Sequence, residues 1–476
     1  MNIGSIFNLF SKLVAFFAIS MLIPAIYSFI TKDGFFISFL LSFCMIIAPS
    51  ILIWAATKKY KEDLQAKDGF FVITFFWLIL ASVGSIPFLL FGIAPIDSFF
   101  ESMSGITTTG ATVITGLDEL PKSLLLYRQL LQWLGGMGLI VLAIAIMPLL
   151  GIGGGQIFKT DVPGAMNDQK LTPRIKETAQ SLWLIYVILT ILCAIFYFLN
   201  GMGSFDAISH ALSTVSIGGF STHDESIGYF NSFGIELVCI IFMLLSALSF
   251  ALHYNAYTNF SIKKYFYDPE SGFFIGMLFF IFIIILISSM FYDFGSVTSI
   301  LFQTVSIVTT TGFTNDDYSS WPLFASFLLL MGAFVGACSG SVGGGIKSWR
   351  FMIMINHSII NLKKMIHPHG VFTLKLGPNK VVENDVAASV WGFFSIYVIS
   401  FMVLLVLMLF TGMDFLTAFS AIGACLNNLG PGLGMVADSY SSVSDFGKVI
   451  LSFAMILGRL EIFTLLVILI PSFWSD

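Results

Sequence analysis

The stretches Ile106-Thr-Thr-Thr-Gly110-Ala-Thr112, Ser213-Thr-Val-Ser-Ile-Gly-Gly219, Val308-Thr-Thr-Thr-Gly312 and Asn427-Asn-Leu-Gly430 decide how this chain is read. Each ends a run of about eleven mostly apolar residues, too few to cross a bilayer as a helix, which takes roughly 20. Aligned on the glycine, the residue six before it is Ser104, Ser213, Ser306 or Ala424, and the residue nine before it is Glu101, His210, Gln303 or Ala421. The glycines lie 109, 93 and 118 residues apart, the mark of a diverged fourfold internal repeat. Four re-entrant half-helices meeting on one axis would build a cation pore within a single polypeptide.

Composition agrees with that reading. Of 476 residues, 57% are hydrophobic and 10% charged, and the mean hydropathy is +0.93. Soluble chains carry about 25% charged residues, so the expected class is an all-α polytopic membrane protein set in a lipid bilayer. The five cysteines, Cys44, Cys193, Cys239, Cys338 and Cys425, have no metal-ligand spacing, and their odd number does not suggest a disulfide framework. The apolar run 13–30 has no convincing cleavage site and reads as a retained first span.

Apolar windows place ten spans near 8–30, 35–57, 69–93, 124–150, 178–200, 231–258, 272–293, 321–355, 386–411 and 446–471. Short segments at 97–107, 206–216, 299–309 and 417–427 fall between the later pairs. The expected organisation is a leading two-helix unit, 1–66, followed by four span–half-helix–filter–span repeats around one central pore. Those repeats occupy 67–157, 158–262, 263–370 and 371–476, the third with a broken second helix. Asp97 and Asp206 sit where helix N-caps are expected. Seventeen Lys and Arg residues fall on one side of this topology, against Lys32, Lys122, Arg128 and Lys448 on the other. The positive-inside rule then puts both termini in the cytoplasm and the four half-helices on the outer side. The outer loops carry acidic pairs, Asp118 and Glu119, Asp224 and Glu225, Asp316 and Asp317, which would concentrate cations.

Bare backbone at membrane depth is tolerated when it is buried in protein or lines a watery cavity. The carbonyl end of a half-helix carries roughly half a negative charge and would face a cation. Carbonyls of the segments that follow could replace the ion's hydration shell, with glycine permitting the backbone angles that aim them. The candidate ion-binding residues are Thr107, Thr108, Thr109 and Gly110; Ser216, Ile217, Gly218 and Gly219; Thr309, Thr310, Thr311 and Gly312; and Asn427, Asn428, Leu429 and Gly430. Side-chain oxygens of Thr107, Ser216, Thr309 and Asn427 are expected to add to the inner end.

These strings, together with Val308-Thr-Thr-Thr-Gly312-Phe-Thr-Asn-Asp-Asp317 and Asn427-Asn-Leu-Gly-Pro-Gly-Leu-Gly434, resemble the TrkH/TrkG branch of the Trk/Ktr/HKT potassium transporter superfamily over essentially the whole chain. The resemblance implies filter glycines at Gly110, Gly219, Gly312 and Gly430, with Gly110 favouring potassium over sodium. It further implies a homodimer in the bacterial inner membrane, each protomer with its own pore. A TrkA-like cytosolic nucleotide-binding subunit would dock on the basic inner segments near 156–177 and 347–385. Departures at Ile217-Gly218 and at Asn427-Asn-Leu followed by Pro431 predict a filter less symmetric than that of a homotetrameric channel.

The window 321–355 is interrupted by Gly336-Ala-Cys-Ser-Gly-Ser-Val-Gly-Gly-Gly345, where each glycine costs a helix about 1 kcal/mol. A Walker loop is excluded, because Ile346 separates the last glycine from Lys347-Ser348. By resemblance this stretch is a movable intramembrane barrier, with Gly336, Ser339, Gly340, Gly343, Gly344 and Gly345 as its candidate residues. Arg459, read as lying about thirteen residues into the last span, is a functional candidate by default. The resemblance gives it a role beneath the filter, repelling cations when the gate is shut. Glu461, two residues on, is not a helical partner for it. Gly135-Gly-Met-Gly138 is expected to permit close packing. No dinucleotide fingerprint, ATPase motif, catalytic constellation, zinc-like histidine pair or nucleic-acid signature is present, so no cofactor of the chain's own is expected, and the resemblance implies a transporter whose substrate is the potassium ion. A sodium- or proton-coupled symporter remains the alternative.

Overall fold

The structure is a computed structural model and describes residues 2–60, 66–145, 171–377 and 380–474. It is an all-α polytopic membrane protein. Six described helices are long and apolar enough to cross a membrane, and counting two bent pairs as single spans raises this to eight. The leading unit is Ile3–Ser20 continued by Leu22–Thr31, packed on Phe36–Thr57. Of the predicted docking stretch 156–177, the part up to residue 170 lies outside the described residues, as do Lys61, Lys159 and the far end of the 124–150 window.

The four half-helices are Pro95–Ile106, Ser204–Val215, Val297–Val308 and Phe415–Leu426, each of 12 residues. At 1.5 Å per residue each reaches about 18 Å, well short of the roughly 30 Å hydrocarbon core. Each packs against a helix of its own repeat and against the second helix of the preceding one. Thus Ser204–Val215 meets Lys122–Ala145, Val297–Val308 meets Phe233–Ala247, Phe415–Leu426 meets Leu323–Val335, and Pro95–Ile106 closes the circle on Asp445–Arg459.

The expected capping holds only in altered form. Asp97 and Asp206 are not N-caps; they sit in the first turn, and the caps are Ala94 and Gly203. In the other two half-helices Ser296 and Asp414 do cap, accepting from Ser299 N at 3.1 Å and Thr417 N at 3.0 Å. Asp97 instead pairs with Lys448 at 2.6 Å, so that outer lysine is a buried tie between first and fourth repeats rather than a loop charge. Arg128 is likewise no loop cation. It is fully buried and donates through Nε to Glu101 at 2.9 Å and through Nη1 to the Ser221 carbonyl at 3.1 Å, with its guanidinium 4.2 Å from the Phe220 ring centre. Glu101 also accepts from Val113 N at 3.0 Å, so one buried ion pair ties the first half-helix to the outgoing strands of repeats one and two.

Three predicted spans are sharply bent or interrupted by a loop. The 231–258 window is Phe233–Ala247 and Phe250–Thr258 bent by 92°, and the 446–471 window is Asp445–Arg459 and Phe463–Leu469 bent by 114°. The third, 321–355, is Leu323–Val335 and Ser348–Ile366 joined by a loop through the glycine-rich stretch. Arg459 is therefore the last residue of a helix rather than a mid-span residue, and Glu461 and Ile462 turn the chain with φ of 53° and 48°.

Removing one member of a buried pair leaves an uncompensated charge, at a cost of about 3–5 kcal/mol. Glu101→Gln should therefore lower the thermal midpoint of the detergent-solubilised protein sharply, and Arg128→Met added to it should recover part of the loss. A single variant as stable as the parent would contradict the clamp.

Candidate functional site

All four half-helices end in the same hydrogen-bonded turn. Thr108, Ile217, Thr310 and Asn428 take left-handed backbone, with φ of 53°, 53°, 66° and 52°. Their N–H groups bond to the carbonyls of Gly105, Thr214, Ile307 and Cys425 at 3.0–3.2 Å. The N–H groups of Thr109, Gly218, Thr311 and Leu429 then reach back to Ser104, Ser213, Ser306 and Ala424 at 2.8–2.9 Å. This is the Schellman arrangement, which ordinarily places glycine at the left-handed position. Threonine and isoleucine there are strained by about 1–3 kcal/mol each, a cost held in place by the surrounding fold. Composition gave no sign of the first three positions, because β-branched residues argue against left-handed backbone, whereas Asn428 is of a type that favours it.

One residue pair further on, the four glycines face one another's strands. Gly110, Gly219, Gly312 and Gly430 have φ of 83°, 79°, 83° and 98°. A Cβ on Gly110 would stand 2.2 Å from the Gly218 carbonyl oxygen, one on Gly219 2.1 Å from that of Thr311, and one on Gly312 2.1 Å from that of Leu429. On Gly430 it would stand 2.7 Å from the Thr109 carbonyl oxygen, which returns to the first repeat. The four strands thus form a closed ring in the order one, two, three, four, with backbone against backbone at every joint. All sixteen predicted filter residues lie in these four turns.

The four inner side chains bond within their own turns. The hydroxyls of Thr107, Ser216 and Thr309 donate back to the carbonyls of Met103, Ser213 and Ser306, and those of Thr107 and Thr309 also pair with the hydroxyls of Thr109 and Thr311. Asn427 is fully turned back: its amide donates to Gly423 O at 2.8 Å and its oxygen accepts from Tyr397 at 2.8 Å. Its backbone carbonyl, rather than its side chain, faces the space below. Outside the ring the position nine before the glycine ties helix to strand in the first three repeats, and in the fourth it is Ala421. Glu101 does so through Val113, His210 through Ser221 at 3.0 Å, and Gln303 through the Asp316 carbonyl at 2.8 Å.

The glycine-rich loop lies directly under the ring. Gly344 N donates to Thr310 Oγ1 at 2.7 Å and Gly345 N to the Asn427 carbonyl at 3.1 Å. A Cβ on Gly343 would stand 2.9 Å from the Thr309 carbonyl oxygen, and one on Gly344 1.9 Å from that of Asn427. Gly336, Gly340 and Gly345 adopt φ of 72°, 71° and 79°. The loop also fills the break in the second repeat: Cys338 N donates to Ala247 O and Phe250 N to Gly340 O, both at 3.0 Å, while Ser339 N is held by Glu270. Arg459 donates to the Val342 carbonyl at 3.0 Å and rests 5.7 Å from the Trp77 ring centre. Two groups the sequence did not single out complete this floor. Lys347 donates to the Gly343 carbonyl, and Arg350 pairs with Glu461 across the bend of the last helix. Gly136 leaves room for Val342, whose Cγ1 would lie 3.0 Å from an added Cβ, as the close-packing expectation required.

With this geometry in hand, the relatives can be compared. A family model described as a cation transport protein, TrkH, matches residues 37–475. The chain belongs to the TrkH family. It is 47% identical over 486 residues to the Trk system potassium uptake protein TrkH of Vibrio parahaemolyticus, covering all of both chains. It is 44% identical over 485 residues to the TrkH of Escherichia coli K12, again over the full length of both. The E. coli TrkG is 40% identical over 477 residues, covering 98% of this chain and 97% of that one. The crystal structure of the potassium transporter TrkH from V. parahaemolyticus superposes with a TM-score of 0.93 at 45% identity over all of both chains.

Above the ring, on the side away from the glycine-rich loop, the predicted acidic pairs serve partly as loop ties. Asp224 accepts from Gly116 N at 3.1 Å and Leu117 N at 2.9 Å, and His223 lies between Asp118 and Asp206, 3.6 Å from the latter. Burial opposes a charge on His223, but Asp206 and Asp118 outweigh it and hold its pKa above the ordinary 6.5. With the folded pKa raised, the imidazolium contributes stability that is complete below 6.5 and is lost as pH rises through the raised value. His223→Gln should therefore melt below the parent at about pH 6, with the gap closing toward about pH 9. A gap independent of pH would contradict the ion-pair role.

Proposed function

We propose that this chain takes up potassium across the bacterial inner membrane through a single pore whose filter is the ring of Gly110, Gly219, Gly312 and Gly430. The observation that carries the reading is the closed ring itself, four half-helix carbonyl ends and four left-handed turns around one axis. Partial negative charge at each helix end attracts a cation, and the turn carbonyls replace its hydration shell. The likeness to proteins named for potassium uptake supports the choice of ion, as does glycine at position 110. The loop 336–345 is the gate, held shut by bonds to Thr310 and Asn427 and by Arg459 on Val342. Arg459 adds a positive charge beneath the filter that repels cations while the loop is closed. Both termini are cytoplasmic, and the protein is a homodimer with one pore per protomer. Regulation comes from a cytosolic nucleotide-binding partner. Helix Ser348–Ile366, with Lys363, Lys364 and the exposed Met365 and Ile366 at its end, offers that partner a mixed basic and apolar docking surface connected directly to the gate loop.

Growth rescue at low potassium in a transport-deficient bacterium tests the reading. The intact chain should restore growth, and Gly110→Ser or Gly312→Ala should cut uptake at least about tenfold, given the strain and clash at each position. Equal rescue by all versions would remove the pore assignment. Arg459→Ala should raise basal potassium leak or loosen its control, and unchanged flux at normal expression would sink that role.

A further inference from the structure

The second repeat carries Gly218 where the others carry Thr109, Thr311 and Leu429, and the structure gives a physical reason for the difference. A Cβ at Gly218 would stand 2.3 Å from both Cδ and Oε1 of Gln132 and 2.8 Å from its Nε2. The space a side chain would need is occupied by the amide of a residue 86 positions away in the first repeat's second helix. That amide is fully buried and makes three hydrogen bonds. Its oxygen accepts from Ser213 Oγ at 2.7 Å and from Phe220 N at 3.1 Å, and its nitrogen donates to the Gly218 carbonyl at 2.6 Å. The amide has one possible orientation, because a backbone N–H only donates and a backbone carbonyl only accepts.

The Gly218 carbonyl has not been pulled out of the ring to make this bond. It lies 2.2 Å from the Cβ position of Gly110, as the Thr311 and Leu429 carbonyls lie 2.1 Å from those of Gly219 and Gly312. No described residue donates a hydrogen bond to the Thr311, Leu429 or Thr109 carbonyl. One of four equivalent carbonyls is therefore anchored and shares its lone-pair density with a side-chain donor.

We propose that Gln132 is a specificity-determining positioning residue, which weakens and fixes the Gly218 carbonyl and so sets the balance between larger and smaller monovalent cations at that level of the filter. The inference rests on the ring being the ion filter. Selectivity there depends on the number and field strength of the carbonyls that replace hydration water. A carbonyl already accepting an amide N–H presents a weaker field, which favours the larger, more easily dehydrated ion. Freeing it raises the field and favours the smaller ion. Gln132 touches the filter backbone and not the ion, so its effect appears in ion preference and apparent affinity.

Gln132→Met keeps the length of the side chain and removes the donor. In proteoliposomes, sodium-to-rubidium permeability measured by reversal potential should rise about fivefold over the parent, the net worth of roughly one hydrogen bond. An unchanged ratio in protein that inserts normally would overturn the proposal. A second arm tests the shared space. Gly218→Thr alone should abolish uptake, whereas Gly218→Thr combined with Gln132→Ala should regain measurable uptake, because the threonine of repeats one and three then fits. Should Gln132→Met fail to reach the membrane, this pair decides alone, and equal loss with and without Gln132→Ala overturns the assignment. Gly312→Ala separates the two levels of the argument. If it leaves potassium uptake intact, the filter reading itself fails; if it abolishes uptake while both Gln132 arms show no effect, only the role of Gln132 falls.

Discussion

The fold is governed by how closely four backbone segments approach one axis. At each joint of the ring a glycine faces a neighbouring carbonyl with no room for even one methyl group. That approach demands glycine at 110, 219, 312 and 430, and it forces the preceding turns into left-handed backbone even where the residue is threonine or isoleucine. Strain of this kind persists only when the surroundings over-determine it. Here the surroundings are buried polar ties: Glu101 to Arg128, His210 to Ser221, Gln303 to Asp316 and Tyr440 to the Gly430 carbonyl at 2.7 Å. The half-helices are short for the same reason, since their carbonyl ends must stop at the axis.

Below the ring, second helices break where they would otherwise run straight past the axis. Each break uses a different device: the Leu248-Ser249 corner, the glycine loop, and the left-handed pair Glu461-Ile462. The breaks are joined to one another. The loop of repeat three bonds into the corner of repeat two, and Arg350 beside that loop pairs with Glu461 at the bend of repeat four. A movement of the loop must therefore be felt in two neighbouring repeats, which gives helix Ser348–Ile366 a mechanical path to the floor of the ring.

The ring glycines, the half-helices and the glycine-rich interruption were legible in the sequence, because each marks an apolar run that stops short of a full span. The half-helix positions were placed to within two residues. What escaped has a common cause, long separation in sequence. Gln132 and Gly218 are 86 residues apart, Arg128 and Glu101 27, Arg350 and Glu461 111. Charge counting in loops read Arg128 and Lys448 as outer cations when both are buried ties. The bend after Arg459 was invisible for another reason: Leu460-Glu461-Ile462 contains neither glycine nor proline, and local propensity gives no cause to end a helix there. The ring is asymmetric at repeats two and four, where Gln132 donates to the Gly218 carbonyl and Tyr440 to the Gly430 carbonyl.

The central claim is that one cation pathway runs through the ring. Diffraction from crystals grown with thallium or rubidium tests it most directly, through the anomalous signal of the ion. Density is expected on the axis, bounded by the carbonyls of Thr109, Gly218, Thr311 and Leu429 and the glycines that follow them. Density confined to sites away from that axis would contradict it.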